Sequence, residues 1–337
     1  MRTQKSAKSV TGFTMVGSLL ISGIVVAVLT FSIPIVFGIL SSSGRSSLPQ
    51  LRLAWQPQGR KLAVCCDGWV AVFNDDLELV NQRRDMPQPP DGEITNAISW
   101  NSTGTKLVLA YIGGVGVWDL QSDTTTQLPD AFFPAAWSKE DDLVATSSRN
   151  HTIQIWNAMT YQLEIALPGF TYSAEQYSDL VYALQWSATG RFLAGQYSSG
   201  KVRVWNMQTG EQVFLFEDDA RSMSWGADTE LAITAKNTLE VWDVETNAQV
   251  QSLPVVASLV RWNPTRNRLA LLVAGETMEI WEIDSAVRLR QFEDHVRRIS
   301  DIQWNSEGTI LASVDILGRI DLWDVETGNK IKSVQVE

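Results

Sequence analysis

Cysteine is nearly missing: the 337 residues hold two, Cys65 and Cys66, and they are adjacent. One vicinal pair cannot build a disulfide framework. It reads as two small residues inside a buried strand. Histidine is equally scarce, with His151 and His295 alone. A histidine-poor chain has little material for zinc binding or for imidazole acid–base chemistry. No HExxH, P-loop, CxxC or Ser–His–Asp pattern compensates. No cofactor and no metal are therefore expected, and the chain is not expected to be an enzyme. Positive charge is also short, with 27 Lys and Arg against 38 Asp and Glu. Residues 1–45 carry four cations and no acid, which leaves −15 on the remainder. Such a body repels phosphate backbones, so nucleic acid is excluded as a partner.

Charge is absent altogether from residues 12–40, a run of 29 mostly apolar positions. About 20 apolar residues suffice to cross a bilayer as a helix. The apolar region of a cleaved signal peptide is about half this length. The expectation is an uncleaved signal-anchor helix over 12–40, after a short basic segment, 1–11. Arg2, Lys5 and Lys8 precede the span, while Arg45 and Arg52 follow it. The positive-inside rule places the N-terminus in the cytoplasm and the C-terminal body outside it. Around Gly12 the chain resembles the processing site of type IV pilin-like proteins, but Gly17 stands where that family has glutamate. Residues 41–50, rich in Ser with Gly44 and Pro49, read as a flexible tether holding the next domain near the membrane.

What is abundant is tryptophan, with 14 residues in a regular array. One column is Trp55, Trp100, Trp137, Trp186, Trp225, Trp262 and Trp304, spaced by 45, 37, 49, 39, 37 and 42 residues. A second column follows at 17–19 residues: Phe73, Trp118, Trp156, Trp205, Trp242, Trp281 and Trp323. Only Trp69 falls outside both. A turn signal such as Gly59, Gly104, Gly190 or Gly308 follows the first column, then an apolar run with a Leu-Ala pair, as in Leu193-Ala194 and Leu311-Ala312. Next comes a strand alternating toward the second aromatic, such as Val202-Arg203-Val204-Trp205 or Ile320-Asp321-Leu322-Trp323. Period-two alternation buries one face and turns the intervening polar residue outward or toward a neighbouring sheet's edge. A turn containing Gly210, Asn247 or Gly328 leads to a fourth strand. Each unit of about 40 residues is thus four short antiparallel strands. One such sheet cannot bury its own faces, whereas a ring of them can.

Seven units in register resemble the WD-repeat family. The last unit is the fullest match, from His295 through Trp304 and Leu311-Ala312 to Trp323-Asp324-Val325-Glu326-Thr327-Gly328. The resemblance implies an all-β, seven-bladed β-propeller of four-stranded antiparallel blades over 51–337, here preceded by one transmembrane α-helix. The chain departs from the family at its turn aspartate, replaced by Asn150, Ser199 and Lys236 in the third to fifth units. The family's His–Ser–Asp–Trp hydrogen-bond network is therefore expected to be missing from most blades. Residues 330–336 can form the outer strand of the last blade, so closure is expected without strand exchange.

Fold-level analogy then points to a membrane-anchored platform for a protein partner. Two long connections, 81–95 and 168–180, lie on the rim where partners dock. Aromatics and arginines dominate binding hot spots. The candidate partner-binding residues are Arg84, Phe132, Phe133, Phe170, Tyr172, Tyr177, Arg221, Arg297 and Arg298. Asp218-Asp219 near Arg221 reads as a surface salt bridge. The alternative function is an extracytoplasmic small-ligand sensor or hydrolase working in the propeller channel.

Overall fold

The chain folds, in a computed structural model, into seven sheets, described over residues 51–66, 69–84, 97–111, 114–140, 142–150, 152–167, 179–292 and 297–336. The expected anchor helix and tether lie outside these residues. Among the described residues no helix is long and apolar enough to cross a membrane.

Every sheet has four strands paired in chain order, and all pairings are antiparallel. The first strands are Arg52–Trp55, Ala97–Trp100, Phe132–Trp137, Val181–Trp186, Ser222–Trp225, Ala257–Trp262 and Ile299–Trp304. Each therefore ends on a first-column tryptophan. The second-column aromatics lie at or next to the end of the third strands, from Trp69–Phe73 to Arg319–Asp324. The expected four antiparallel strands per unit are found in all seven sheets.

The core sits between blades. Its clusters each join neighbouring sheets, such as Ile153 and Ile155 of blade three with Leu184, Leu193 and Trp205 of blade four. Second strands are almost wholly buried, as continuous apolar runs require. One cluster packs Ala312, Val314 and Ile320 of blade seven against Leu51, Leu53 and Leu62 of blade one, and so closes the ring. Blade seven draws all four strands from its own sequence, with Lys330–Gln335 outermost. Pairing of 46–50 with that strand falls outside the described residues.

Tryptophan does more here than fill space. The indole Nε1–H of Trp100 donates to the Ala54 carbonyl at 2.9 Å, and that of Trp186 to Ala136 at 3.0 Å. Trp225 donates to Gln185 at 2.9 Å, Trp304 to Arg261 at 3.0 Å and Trp55 to Gln303 at 3.2 Å. In all five, the acceptor is the residue before the preceding blade's first-column tryptophan. A constant offset means that the inner strands run parallel and in register around the axis. Trp137 breaks the belt: its Nε1 is buried and meets no acceptor among the described residues. Trp262 packs its ring over Gly226 instead, where a Cβ would lie 2.2 Å from the indole.

The second column behaves differently. Trp156 donates to Thr146 and Trp323 to Ser313, each at 2.9 Å, so part of the family network survives in blades three and seven. Trp242 and Trp281 turn instead to Glu240 and Glu279, two residues upstream. Two of the alternating polar residues are buried rather than turned outward, the first of the two expected placements. Asp321 is 0% exposed and Glu279 6%, each satisfied by cations: Arg319 and Lys330 for the first, Arg288 for the second. Pairing offsets the cost of burying a carboxylate. Cys65 is buried with a free thiol, in a strand as expected.

In every blade but the sixth, the turn after the third strand is closed by its first residue. Asp119 Oδ1 accepts from the Gln121 and Ser122 amides, and Asp324 Oδ1 from Thr327 N and Oγ1. These bonds, led by the Ser122 and Thr327 amides, hold both carboxyls below the usual aspartate range. The unfolded chain binds these protons more readily than the fold does. Their contribution is complete above about pH 4 and disappears as pH falls through the depressed folded values. The thermal midpoint is expected to drop below pH 4, and less steeply in Asp119→Asn/Asp324→Asn than in wild type.

The same turn ends in a left-handed residue in every blade. Gly210 and Gly328 fill it at no steric cost, but Leu77, Asp123, Tyr161, Asn247 and Ala286 take it with φ of 53–59°. A left-handed non-glycine residue costs about 1–2 kcal/mol, partly offset by the unfolded-state entropy of glycine. Ala286→Gly is expected to raise stability by about 0.5 kcal/mol, read as a shift in the urea midpoint.

Candidate functional site: the channel and its starting rim

The seven inner strands enclose a channel of about 900 Å³. Because they run in parallel, one mouth gathers their beginnings and the other their ends. The first mouth includes Arg52, Tyr182, Asp219 and Arg221; the second includes Gln56, Lys139 and Asn305. Lys139 is exposed to the channel yet walled by protein, and desolvation holds its ammonium below the ordinary lysine value against the pull of Glu140. Tyr197 also lines the channel, and burial drives its phenol pKa upward, so it stays neutral.

Asp301 lies in the channel wall at 1% exposure. It accepts from Arg261 Nη2 at 2.7 Å, from the Leu53 amide at 3.0 Å and from its own chain at Ile302 N at 2.9 Å. One carboxylate thereby ties blade seven to blades six and one. Its oxygens are committed to structure. Among the described residues the carboxyl whose pKa is raised, Glu230, is not in the lining; desolvation raises it first, then repulsion from Asp243 and Asp284.

The candidate rim residues distribute around the starting side of the ring. Arg84 is exposed just past the outer strand of blade one. Phe132 and Phe133 open the inner strand of blade three. The Arg149 guanidinium stands 5.0 Å over the Phe132 ring. Phe133 instead packs against the core between blades two and three, and its carbonyl accepts from Ser147 Oγ. Arg221 precedes blade five and is exposed. It makes no ion pair with Asp218 or Asp219, contrary to the salt bridge expected there. Arg297 and Arg298 precede blade seven, both exposed, beside Leu317 at 54% exposure; the Ile316 amide donates to the Arg298 carbonyl. Phe170, Tyr172 and Tyr177 lie outside the described residues. Among the described residues, Arg297 and Arg298 thus stand together before blade seven and Phe132 and Phe133 on blade three, while Arg84 and Arg221 stand apart at blades one and five. Tyr182, 55% exposed at the mouth, belongs to the same rim and was missed. Its alternation with buried Val181 was the available signal.

The opposite rim is occupied by staples between blades. Arg266 and Arg268 reach Glu326, Arg191 reaches Glu245, and Lys332 reaches Asp76 across the closing seam. Side chains so engaged are less available to a partner than the exposed arginines of the starting rim.

Comparison with known proteins agrees with the geometry. The family model described as "Anaphase-promoting complex subunit 4 WD40 domain" matches residues 135–228 and 260–337, just over half of the chain. The chain is similar to Protein tipD of Dictyostelium discoideum, 22% identical over 282 residues, which cover 77% of this chain and 44% of that protein. It is also similar to Periodic tryptophan protein 2 of Arabidopsis thaliana, 22% identical over 255 residues, covering 70% of this chain and 27% of that one. The chain thus spans less than half the length of either relative. Among solved structures, the Cps50 (Swd1) β-propeller domain of Myceliophteria thermophila aligns with a TM-score of 0.67 at 17% identity, covering 83% of this chain and 97% of that one. A chain of the Mitotic Checkpoint Complex aligns with a TM-score of 0.67 at 16% identity, covering 89% and 99%. At such identities the likeness is one of fold.

Proposed function

We propose that this chain, which belongs to the WD40-repeat family of the anaphase-promoting complex subunit 4 WD40 domain, is a membrane-held platform that engages a protein partner through its starting rim. WD40 propellers typically serve as protein-interaction scaffolds. The observation that carries the reading here is the exposed guanidinium groups of Arg221, Arg297 and Arg298, without an ion pair among the described residues, on one rim of an acidic body. Arginine and aromatic side chains supply most hot-spot energy, and Phe132 and Tyr182 stand on the same rim. Membrane attachment is supported by the uncharged run of 29 residues at 12–40. With the basic residues before that run, the favoured orientation puts the propeller outside the cytoplasm.

The test is proximity labelling from the full-length chain, compared with Arg297→Ala/Arg298→Ala and with a chain lacking residues 1–50. Protease protection in intact cells fixes the side on which the propeller lies. The reading expects protein neighbours that depend on both the arginines and the N-terminal run. Neighbours unchanged by either alteration would overturn it.

A further inference from the structure

The channel reverses the charge balance of the protein that contains it. Acids outnumber bases across the chain, 38 to 27. Among the described residues, the charged side chains lining the lumen are four cations (Arg52, Lys139, Arg221 and Arg261) and two carboxylates (Asp219 and Asp301). Asp301 is already committed to Arg261 at 2.7 Å. Two positive charges are thus in excess along a narrow passage with protein walls. Field lines concentrate in such passages, which draws small anions in from the surrounding solvent.

The walls are also of two kinds. Ala54, Ala97, Ala136 and Ala183 face the lumen from blades one to four, and the indoles of their strands stand beside them. Gln303 and the Arg261–Asp301 pair line it from blades six and seven. Small side chains leave room, and a volume of about 900 Å³ is that of a small-molecule site. At the starting mouth Arg221 is exposed and, among the described residues, without an ion pair, and the half-exposed Tyr182 lines the same channel.

We infer that the channel is a binding site for a small organic anion: a carboxylate or sulfonate on an apolar body of one or two rings. Its charged group sits toward Arg52 and Arg221, and its rings lie against the alanine-lined wall. This site shares Arg221 and Tyr182 with the rim platform but takes a small molecule into the lumen and needs no partner protein.

The probe is 8-anilinonaphthalene-1-sulfonate, titrated into the folded full-length chain in detergent, with energy transfer from tryptophan as the readout. N-phenyl-1-naphthylamine has the same rings without the sulfonate. The inference expects saturable one-to-one binding of the sulfonate, competition by benzoate, and much weaker binding of the neutral probe. Arg221→Gln removes one charged donor and is expected to weaken binding about ten-fold. Ala136→Phe fills the lumen and is expected to abolish it, with circular dichroism checking its fold. Should that variant not fold, Arg221→Gln and the neutral probe still decide. Equal affinity for both probes, binding unchanged by Arg221→Gln, or no saturable binding would each overturn the inference.

Discussion

Replacing Asp301 by alanine is expected to cost about 3–5 kcal/mol, the usual penalty for stranding one partner of a buried ion pair. Three donors lose their acceptor at once. The Arg261 guanidinium, with its side chain 15% exposed, keeps a buried charge and loses its carboxylate. The Leu53 amide, in the inner strand of blade one, loses a bond at 3.0 Å. The loss falls at the seam where the two ends of the propeller meet, so local opening there becomes easier. Asp301→Asn keeps an acceptor oxygen without the charge and should fall in between. Asp76→Ala removes a comparable ion pair across the same seam at an exposed site, and should cost less than about 1 kcal/mol. Urea unfolding followed by tryptophan fluorescence gives all three values. A loss below about 1 kcal/mol for Asp301→Ala would mean that the buried pair does not hold the ring closed.

Two chemically identical substitutions in the first column should differ. Trp186→Phe removes an indole N–H that satisfies the buried Ala136 carbonyl at 3.0 Å. An orphaned buried acceptor costs about 1–3 kcal/mol, and the smaller ring adds about 1 kcal/mol of lost packing. The total is about 2–4 kcal/mol. Trp137→Phe removes an indole N–H that meets no acceptor among the described residues. It forfeits packing but also relieves a buried unsatisfied donor, so it should cost about 1 kcal/mol or less. Both side chains are similarly buried, at 6% and 4% exposure, so burial cannot produce the difference. Equal losses in the two variants would assign the column to packing alone.

That contrast marks the limit of what the chain discloses on its own. The columns are legible because each sheet must present an aromatic at the same two places, and regular spacing survives in the sequence. The direction of an indole N–H leaves no such trace. Its acceptor is a backbone carbonyl of the neighbouring blade, 40–50 residues upstream in four cases and 248 downstream for Trp55, and a carbonyl has no identity in a sequence. Asp301 is hidden for a related reason. It occupies an alternating position in a strand, where the equivalents Ala97, Pro134 and Leu259 show no common chemistry. Only closure of the ring brings Leu53 and Arg261 to it. Asp321 reads as an outward residue between Ile320 and Leu322 until Lys330 and Arg319 are seen to cover it. The left-handed turn positions of Leu77, Tyr161 and Ala286 are invisible because context, not residue type, imposes them.

The candidate rim was legible in part. A residue just before an inner strand must lie at the starting mouth, which places Arg221, Arg297 and Arg298 from topology alone. Exposure was harder to judge. Phe132 and Phe133 look alike in the chain, yet one lies beneath Arg149 and the other packs into the seam between two blades. The charge reversal of the channel could not be read at all, since it depends on which face of each inner strand turns toward the axis.

Hydrogen exchange of the indole protons, followed by NMR on protein labelled with 15N at tryptophan, addresses the belt directly. The indoles of Trp55, Trp100, Trp186, Trp225 and Trp304 should form a slowly exchanging group, because each proton is held between adjacent blades. If those five protons exchanged as fast as exposed indoles, the blades would not be joined through them.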